Sequence, residues 1–258
     1  MNEKAYAKVN LFLSVGDKLA DGYHEIDTVM HTVSLCDDLV LMPDDAVSVE
    51  CSVPIPEKQN LAYLAAVLFF RETGVKGGAK IKIFKRIPAR AGLGGGSADA
   101  AAVLRGLNRM YKTGISESAL AAMGLWLGSD VPFCVYGGKA RCLGTGGLIT
   151  PLPRERLNIV IAKPEEDCST PEMYRLLDGN PPARAEYSEG IYFNSFDTVC
   201  PEQSRALKES LLSLGASAAM LSGSGSAVFG VFPTRESAAA AADSLRGSAE
   251  FVFRTETV

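Results

Sequence analysis

The segment Ile87-Pro88-Ala89-Arg90-Ala91-Gly92-Leu93-Gly94-Gly95-Gly96-Ser97-Ala98-Asp99 follows a clear strand alternation, Ala79 to Phe84 (AKIKIF). It runs into a helical pattern, SADAAAVLRGLNRMY, that the spacing predicts to start at Ser97. Four glycines in five positions let the backbone take positive φ and approach a ligand with no side chain in the way. The helix that follows offers unpaired N–H groups and the positive end of its dipole, which favour a phosphate. Ser97 is placed to cap that helix or to lend its hydroxyl to a phosphate or Mg²⁺. A Walker A loop would end in Gly-Lys-Ser/Thr, and no lysine follows these glycines. A dinucleotide fingerprint would need glycine at Ser97 and would open the fold. The remaining alternative, a plain glycine-rich turn, seldom needs four glycines.

Outward from this loop the pattern is mixed α+β. Lys8 to Val15 and Val47 to Val53 alternate as strands. Asn60 to Thr73 reads as a helix capped by Asn60 with Gly74 beyond its end, and another covers Ser116 to Leu127, stopping at Gly128. A loop is expected near Thr150-Pro151-Leu152-Pro153, and with it a domain boundary near residue 150, separating 1–150 from 151–258. The second part reads as strand Leu157 to Ala162, a helical stretch ending in Pro201 to Leu214, and strands Ala218 to Leu221 and Ala227 to Phe232. Helix Thr234 to Leu245 and strand Phe251 to Thr255 complete a β-α-β-β-α-β order, the ferredoxin-like pattern. Asp178 to Gly190, with two prolines and many polar residues, reads as a surface loop.

The 258 residues suffice for one large domain or two modest ones. Apolar residues at 47% and charged residues at 22% are ordinary for a soluble globular chain. A formal net charge of -4 with no long run of either sign gives no overall basic footprint for nucleic acid. The N-terminal residues do not read as a signal peptide, and the longest apolar run, Leu61 to Phe70, is too short for a membrane span. A cytoplasmic location is expected. Cys36, Cys51, Cys134, Cys142, Cys168 and Cys200 form no C-x-x-C pair, and His24 and His31 are the only histidines. Free thiols are expected, without disulfides or a structural metal.

The run G-L-G-G-G-S-A-D-A-A resembles the second motif of the GHMP kinases, named for galactokinase, homoserine kinase, mevalonate kinase and phosphomevalonate kinase. Ala7-Lys8-Val9-Asn10-Leu11 resembles the first motif, and Leu221-Ser222-Gly223-Ser224-Gly225-Ser226-Ala227 the third, in the family's order. Ala20-Asp21-Gly22-Tyr23-His24 and Gly128-Ser129-Asp130-Val131-Pro132-Phe133 resemble the members that act on a cytidine-diphosphate-linked methylerythritol. The resemblance implies an N-terminal ribosomal-S5-like α/β domain, a C-terminal ferredoxin-like domain, and transfer of phosphate from ATP, with Mg²⁺, to the 2-hydroxyl of that acceptor. No protein ligand set for the Mg²⁺ is identified.

By the same resemblance, Asp130 is the catalytic base and Lys8 its partner, a lysine that keeps the carboxylate ionised. On residue type alone, Asp130 is a turn or cap residue and Lys8 an exposed strand charge. ATP is expected along Pro88, Ala89, Arg90, Ala91, Gly92, Leu93, Gly94, Gly95, Gly96, Ser97 and Ala98. Asn10 shares a strand face with Lys8 and either bonds the acceptor or holds a turn. Tyr23 and His24 match the part of the family that recognises cytidine, by stacking and by hydrogen bonding; half-buried packing is the alternative for Tyr23. His31 is left structural. Thr170 and Tyr174 match the segment that closes over the cytosine, with helix packing the alternative for Tyr174. Asp99 either reaches a Mg²⁺ or complements the helix dipole. Gly223, Ser224 and Gly225 either border the phosphates or make a plain hairpin turn. Two features depart from the family pattern: a short C-terminus, and Arg90 and Arg141, which touch phosphate or solvent. Rival readings are a homoserine, mevalonate or phosphomevalonate acceptor, a decarboxylating relative, and a non-catalytic nucleotide-binding protein.

Overall fold

The computed structural model describes residues 1–181 and 184–258. The chain begins with two long strands, β1 (Asn2–Lys18) and β2 (His24–Asp44), followed by β3 (Ser48–Cys51), α1 (Leu61–Thr73) and β4 (Gly78–Phe84). Next come α2 (Gly95–Met110), α3 (Glu117–Leu125), α4 (Val131–Tyr136), β5 (Lys139–Gly144) and β6 (Leu148–Leu152). Then follow β7 (Asn158–Lys163), α5 (Thr170–Gly179), β8 (Phe193–Asn194) and α6 (Glu202–Ser213). The last elements are β9 (Ala218–Leu221), β10 (Val228–Phe232), α7 (Arg235–Ser244) and β11 (Phe251–Glu256). Two compact units form: one holds 1–7, 35–87 and 94–137, the other 8–34, 88–93 and 138–258.

In the first unit, β2 pairs antiparallel with β4 from Asp38 opposite Phe84 to Asp44 opposite Gly78, and β3 lies parallel to β4. Leu39, Leu41, Ile81 and Ile83 face helices whose inner surfaces are small: Ala62, Ala65 and Ala66 on α1, Ala98 and Ala100 to Ala102 on α2. Small side chains let these helices approach closely, and Phe69, fully buried, fills the space among them. Asn60 caps α1 by accepting from the Ala62 N–H, and Gly74 ends it at φ 65°, both as the sequence predicts.

In the second unit, the strand order β11-β7-β10-β9 with all neighbours antiparallel is the ferredoxin-like arrangement expected from the β-α-β-β-α-β pattern. β7 and β10 are central and almost wholly buried, which is why they read as unbroken apolar runs. Leu207 and Leu211 of α6 and Ala238, Ala241 and Ala242 of α7 belong to the same core. Thr234 caps α7 in a capping box with Ser237. The first part of β2 pairs with β5, β5 with β6, and Phe12 and Leu13 of β1 lie parallel to β8.

Several expectations are corrected. β2 is not among the strands expected from the sequence, since Thr28, His31, Thr32 and Asp37 are buried polar residues within its 21-residue span. Thr150, Pro151 and Leu152 lie not in a loop but in β6, an edge strand that among the described residues pairs with β5 alone and so tolerates a proline. α2 begins at Gly95 after a left-handed Gly94 with no side-chain cap, so Ser97 sits inside the first turn and caps nothing. α3 ends at Leu125, short of Leu127. In the expected loop Asp178 to Gly190, the first two residues end α5, and 182 and 183 lie outside the described residues.

Phe69→Ala is expected to cost about 3–5 kcal/mol of stability, whereas Phe84→Ala, at a ring that is 52% exposed, should cost under about 1 kcal/mol. Urea unfolding of the two variants checks the difference; equal costs would contradict the packing described.

Candidate active site

Lys8 lies on β1 and is 3% exposed, so the exposed-charge alternative is excluded. Its Nζ donates to Asn10 Oδ1 at 2.8 Å, Asn10 Nδ2 donates to Thr28 Oγ1 at 2.9 Å, and Thr28 Oγ1 donates to the Phe12 carbonyl at 2.7 Å. The i to i+2 spacing puts Lys8 and Asn10 on one face. Thr28, which the sequence reading missed, fixes the Asn10 amide so that its oxygen faces the ammonium.

The third motif is the turn between β9 and β10, and it meets this chain of bonds. A Cβ on Gly223 would lie 3.3 Å from Lys8 Nζ and 3.5 Å from Asn10 Oδ1, at φ +55°. Asn194, 2% exposed and also missed, holds the turn: its Nδ2 donates to the carbonyls of Leu221 and Gly223, and its Oδ1 accepts from the Phe196 N–H. Nothing in its sequence neighbourhood marks it apart from its position at the start of a turn. Ser224 Oγ lies 3.0 Å from Thr170 Oγ1, which brings two of the expected substrate residues together.

The entry half of the glycine loop is bonded to that same turn. Ser226 N–H donates to the Arg90 carbonyl at 3.3 Å, Ala227 N–H to Ala91 at 3.3 Å, and Ser222 Oγ to Gly92 at 2.9 Å. The Lys8 N–H donates to the Leu93 carbonyl at 3.0 Å. Gly92 is at φ +70°, and a Cβ there would fall 1.8 Å from the Ser222 carbonyl oxygen, so only glycine fits. Pro88 and Ala89 lead into this run without regular structure. Arg90 is exposed, with Asp167 at 3.8 Å, and Arg141 forms a bidentate pair with Asp27 while its guanidinium lies over the Tyr187 ring.

The exit half, Gly94 to Ala98, forms the left-handed cap and first turn of α2. Its N–H groups from Gly95, Gly96 and Ser97 are the orphan donors of a helix N-terminus. Asp99, one residue further, neither reaches outward nor complements the dipole as expected. It is 3% exposed, and its Oδ2 accepts from Lys85 Nζ at 2.7 Å. Lys85 also donates to Asp37 Oδ2 at 2.5 Å. Burial pushes the Asp99 carboxyl up, against the pull of Lys85 and with the help of the neighbouring Asp37 charge, to about 7. Burial works against the Lys85 ammonium, but Asp99 and Asp37 outweigh it and hold the lysine above its ordinary range.

Asp130 occupies the N-cap position of α4 in helical backbone geometry, and its side chain makes no cap hydrogen bond. It thus lies in the turn that leads into α4, as residue type alone suggests, without capping the helix through its side chain.

At the turn between β1 and β2, Tyr23 is 61% exposed, open rather than half-buried, with its N–H bonded to Asp21 Oδ1. His24 turns inward; its Nε2 lies 2.7 Å from Asp178 Oδ1, and its ring stacks on Tyr174 at 4.9 Å. Tyr174 in turn meets Phe196 edge-on. Lys18 and His24 hydrogen-bond Asp178 and hold its carboxyl below the usual carboxylate range. His31 is fully buried, and burial lowers its pKa. Among the described residues no group of three or more His, Cys, Asp or Glu is placed to hold a metal, and no helix is long and apolar enough to cross a membrane.

The chain is similar to known proteins along most of its length. Residues 60–138 match the family model "GHMP kinases N terminal domain", and residues 184–249 match "GHMP kinases C terminal". The chain is 39% identical over 277 aligned positions to a 4-diphosphocytidyl-2-C-methyl-D-erythritol kinase of Acetivibrio thermocellus, covering 99% of this chain and 98% of the relative. It is 43% identical to the enzyme of the same name from Symbiobacterium thermophilum, covering 92% of each. A crystal structure of 4-(cytidine 5'-diphospho)-2C-methyl-D-erythritol kinase superposes with a TM-score of 0.88 at 34% identity, covering 100% of this chain and 99% of the other.

Two outcomes follow from the loop. Gly92→Ala should displace the loop from the turn and lower kcat/KM about 100-fold, the usual cost of a misplaced positioning element; an unchanged steady-state rate would contradict the contact. Asp99 carries a folded-state pKa raised above the unfolded value of about 3.9, so its contribution to stability falls as pH rises toward about 7. Asp99→Asn is free of that effect. From about pH 5 to about pH 8, urea midpoints should therefore move in favour of the variant by roughly 2–3 kcal/mol relative to the native chain. A pH-independent difference would show that Asp99 stays ionised throughout.

Proposed function

The chain belongs to the GHMP kinases, and from that premise we propose that it transfers the γ-phosphate of ATP to the 2-hydroxyl of 4-diphosphocytidyl-2-C-methyl-D-erythritol. The products are ADP and the 2-phosphate of the acceptor, a step of the non-mevalonate isoprenoid pathway. The observation that carries the choice of acceptor is the near-full-length similarity to enzymes of that name at 39% and 43% identity.

In this reading the acceptor oxygen attacks the γ-phosphorus, the bond from that phosphorus to the β,γ-bridging oxygen breaks, and ADP leaves. The hydroxyl proton passes to Asp130. Lys8, held by Asn10, supplies positive charge to the reacting groups, a role supported by its burial beside the third-motif turn. ATP lies along Pro88 to Ala98, with its phosphates on the N–H groups of the first turn of α2. Mg²⁺, for which no cluster of three or more His, Cys, Asp or Glu is placed among the described residues, would come with the nucleotide and would supply charge neutralisation for phosphoryl transfer. Gly223 and Ser224 border the acceptor phosphates beside Thr170. The open ring of Tyr23 stacks on the cytosine, and His24, backed by Tyr174 and Asp178, lines the same side.

ADP release with Mg-ATP and this acceptor, run beside homoserine and mevalonate, tests the reading. Turnover is expected with the cytidine acceptor alone and should fall at least about 1,000-fold in Asp130→Ala. Tyr23→Ala should raise KM for the acceptor about tenfold while leaving KM for ATP unchanged, as loss of one stacking contact implies. Turnover of homoserine or mevalonate instead would overturn the assignment of the acceptor.

A further inference from the structure

Lys85, Asp37 and Asp99 form a cluster of three charges away from solvent, with side chains 9%, 0% and 4% exposed. A buried ion cluster is a poor source of stability, because apolar residues of similar volume usually serve as well or better. Its attachments are therefore informative. Asp37 divides its carboxylate: Oδ2 takes the Lys85 ammonium, and Oδ1 accepts the N–H groups of Arg86 at 2.5 Å and Ile87 at 2.9 Å. Those two residues are the backbone by which the chain enters the glycine loop.

On the exit side, Asp99 projects from the second turn of α2 to the same ammonium. Gly95, the first residue of that helix, packs against the same group: a Cβ there would lie 3.0 Å from the Ile87 side chain and 3.4 Å from Lys85 Nζ. Asp99 Oδ1 is buried with no hydrogen-bond partner, and the carboxyl is held through Lys85 and the neighbouring Asp37. One ammonium thus joins the strand end that precedes the loop to the helix that follows it.

We propose that Lys85 is a positioning residue for ATP: by bridging Asp37 to Asp99 it fixes the first turn of α2 relative to the entering backbone, and so sets where the helix N–H groups meet phosphate. The proposal rests on the glycine loop as the ATP site and is independent of which acceptor is used. Asp37 and Asp99 act through Lys85 in the same role.

The test is ATP binding to the full chain, measured by titration calorimetry without acceptor, beside urea unfolding of each variant. Lys85→Met should weaken ATP about tenfold or more while acceptor affinity stays within about twofold, and Lys85→Arg should recover part of the loss. If Lys85→Met does not fold, the double variant Lys85→Met, Asp99→Asn removes one of the two facing carboxylate charges and is measured instead, with the same loss of ATP affinity expected. A folded variant without Lys85 that binds ATP within about twofold of the native chain overturns the proposal and leaves the cluster a structural one. Native protein that binds no ATP would instead overturn the loop reading on which the proposal stands.

Discussion

Gly92 and the carbonyl of Ser222 approach so closely that a single methyl group has no room between them. The other features of this part of the second unit depend on this contact. It brings the entry half of the glycine loop against the turn between β9 and β10, where Ser222, Ser226 and Ala227 bond it in place. The same turn sets Gly223 beside Lys8 and Asn10, with Asn194 holding it from the other side. Backbone approach of this kind cannot be replaced by a side-chain contact, which is why glycine and serine dominate both motifs. A ferredoxin-like sheet suits the task, because its central strands are buried and the turn between β9 and β10 is short.

Two lysines, Lys8 and Lys85, are held by neighbouring side chains. Lys8 is buried, and the amide and hydroxyl chain of Asn10 and Thr28 orients its ammonium. Lys85 is instead bound between two carboxylates, and its charge is consumed within the fold. A lysine shared by two buried carboxylates suits a fixed strut.

Much of this was legible in the amino-acid order. The alternation of β7, β9, β10 and β11 with two intervening helical patterns disclosed the ferredoxin-like half, because central strands must be apolar on both faces. Asn60 and Gly74 marked α1, since each residue is chosen for its cap geometry. The three motifs were readable by their resemblance to the family, and the glycines of the second and third stood out because close backbone approach demands small residues. What stayed hidden had the opposite character. β2 carries inward Thr28, His31 and Asp37, so its pattern looked irregular, although Asp37 and Thr28 prove to be supports of the two lysines. The start of α2 was misplaced because Gly94 caps through a left-handed backbone and not through the serine that usually signals a cap. Asn194 and Lys85 act through contacts distant in sequence, which spacing cannot reveal.

The most direct test of the kinase reading is phosphorus NMR of the reaction mixture after incubation with Mg-ATP and 4-diphosphocytidyl-2-C-methyl-D-erythritol. A new phosphomonoester resonance on the acceptor, appearing in equal amount with ADP, is the predicted result. Inorganic phosphate released with an unmodified acceptor, or no loss of ATP, would contradict it.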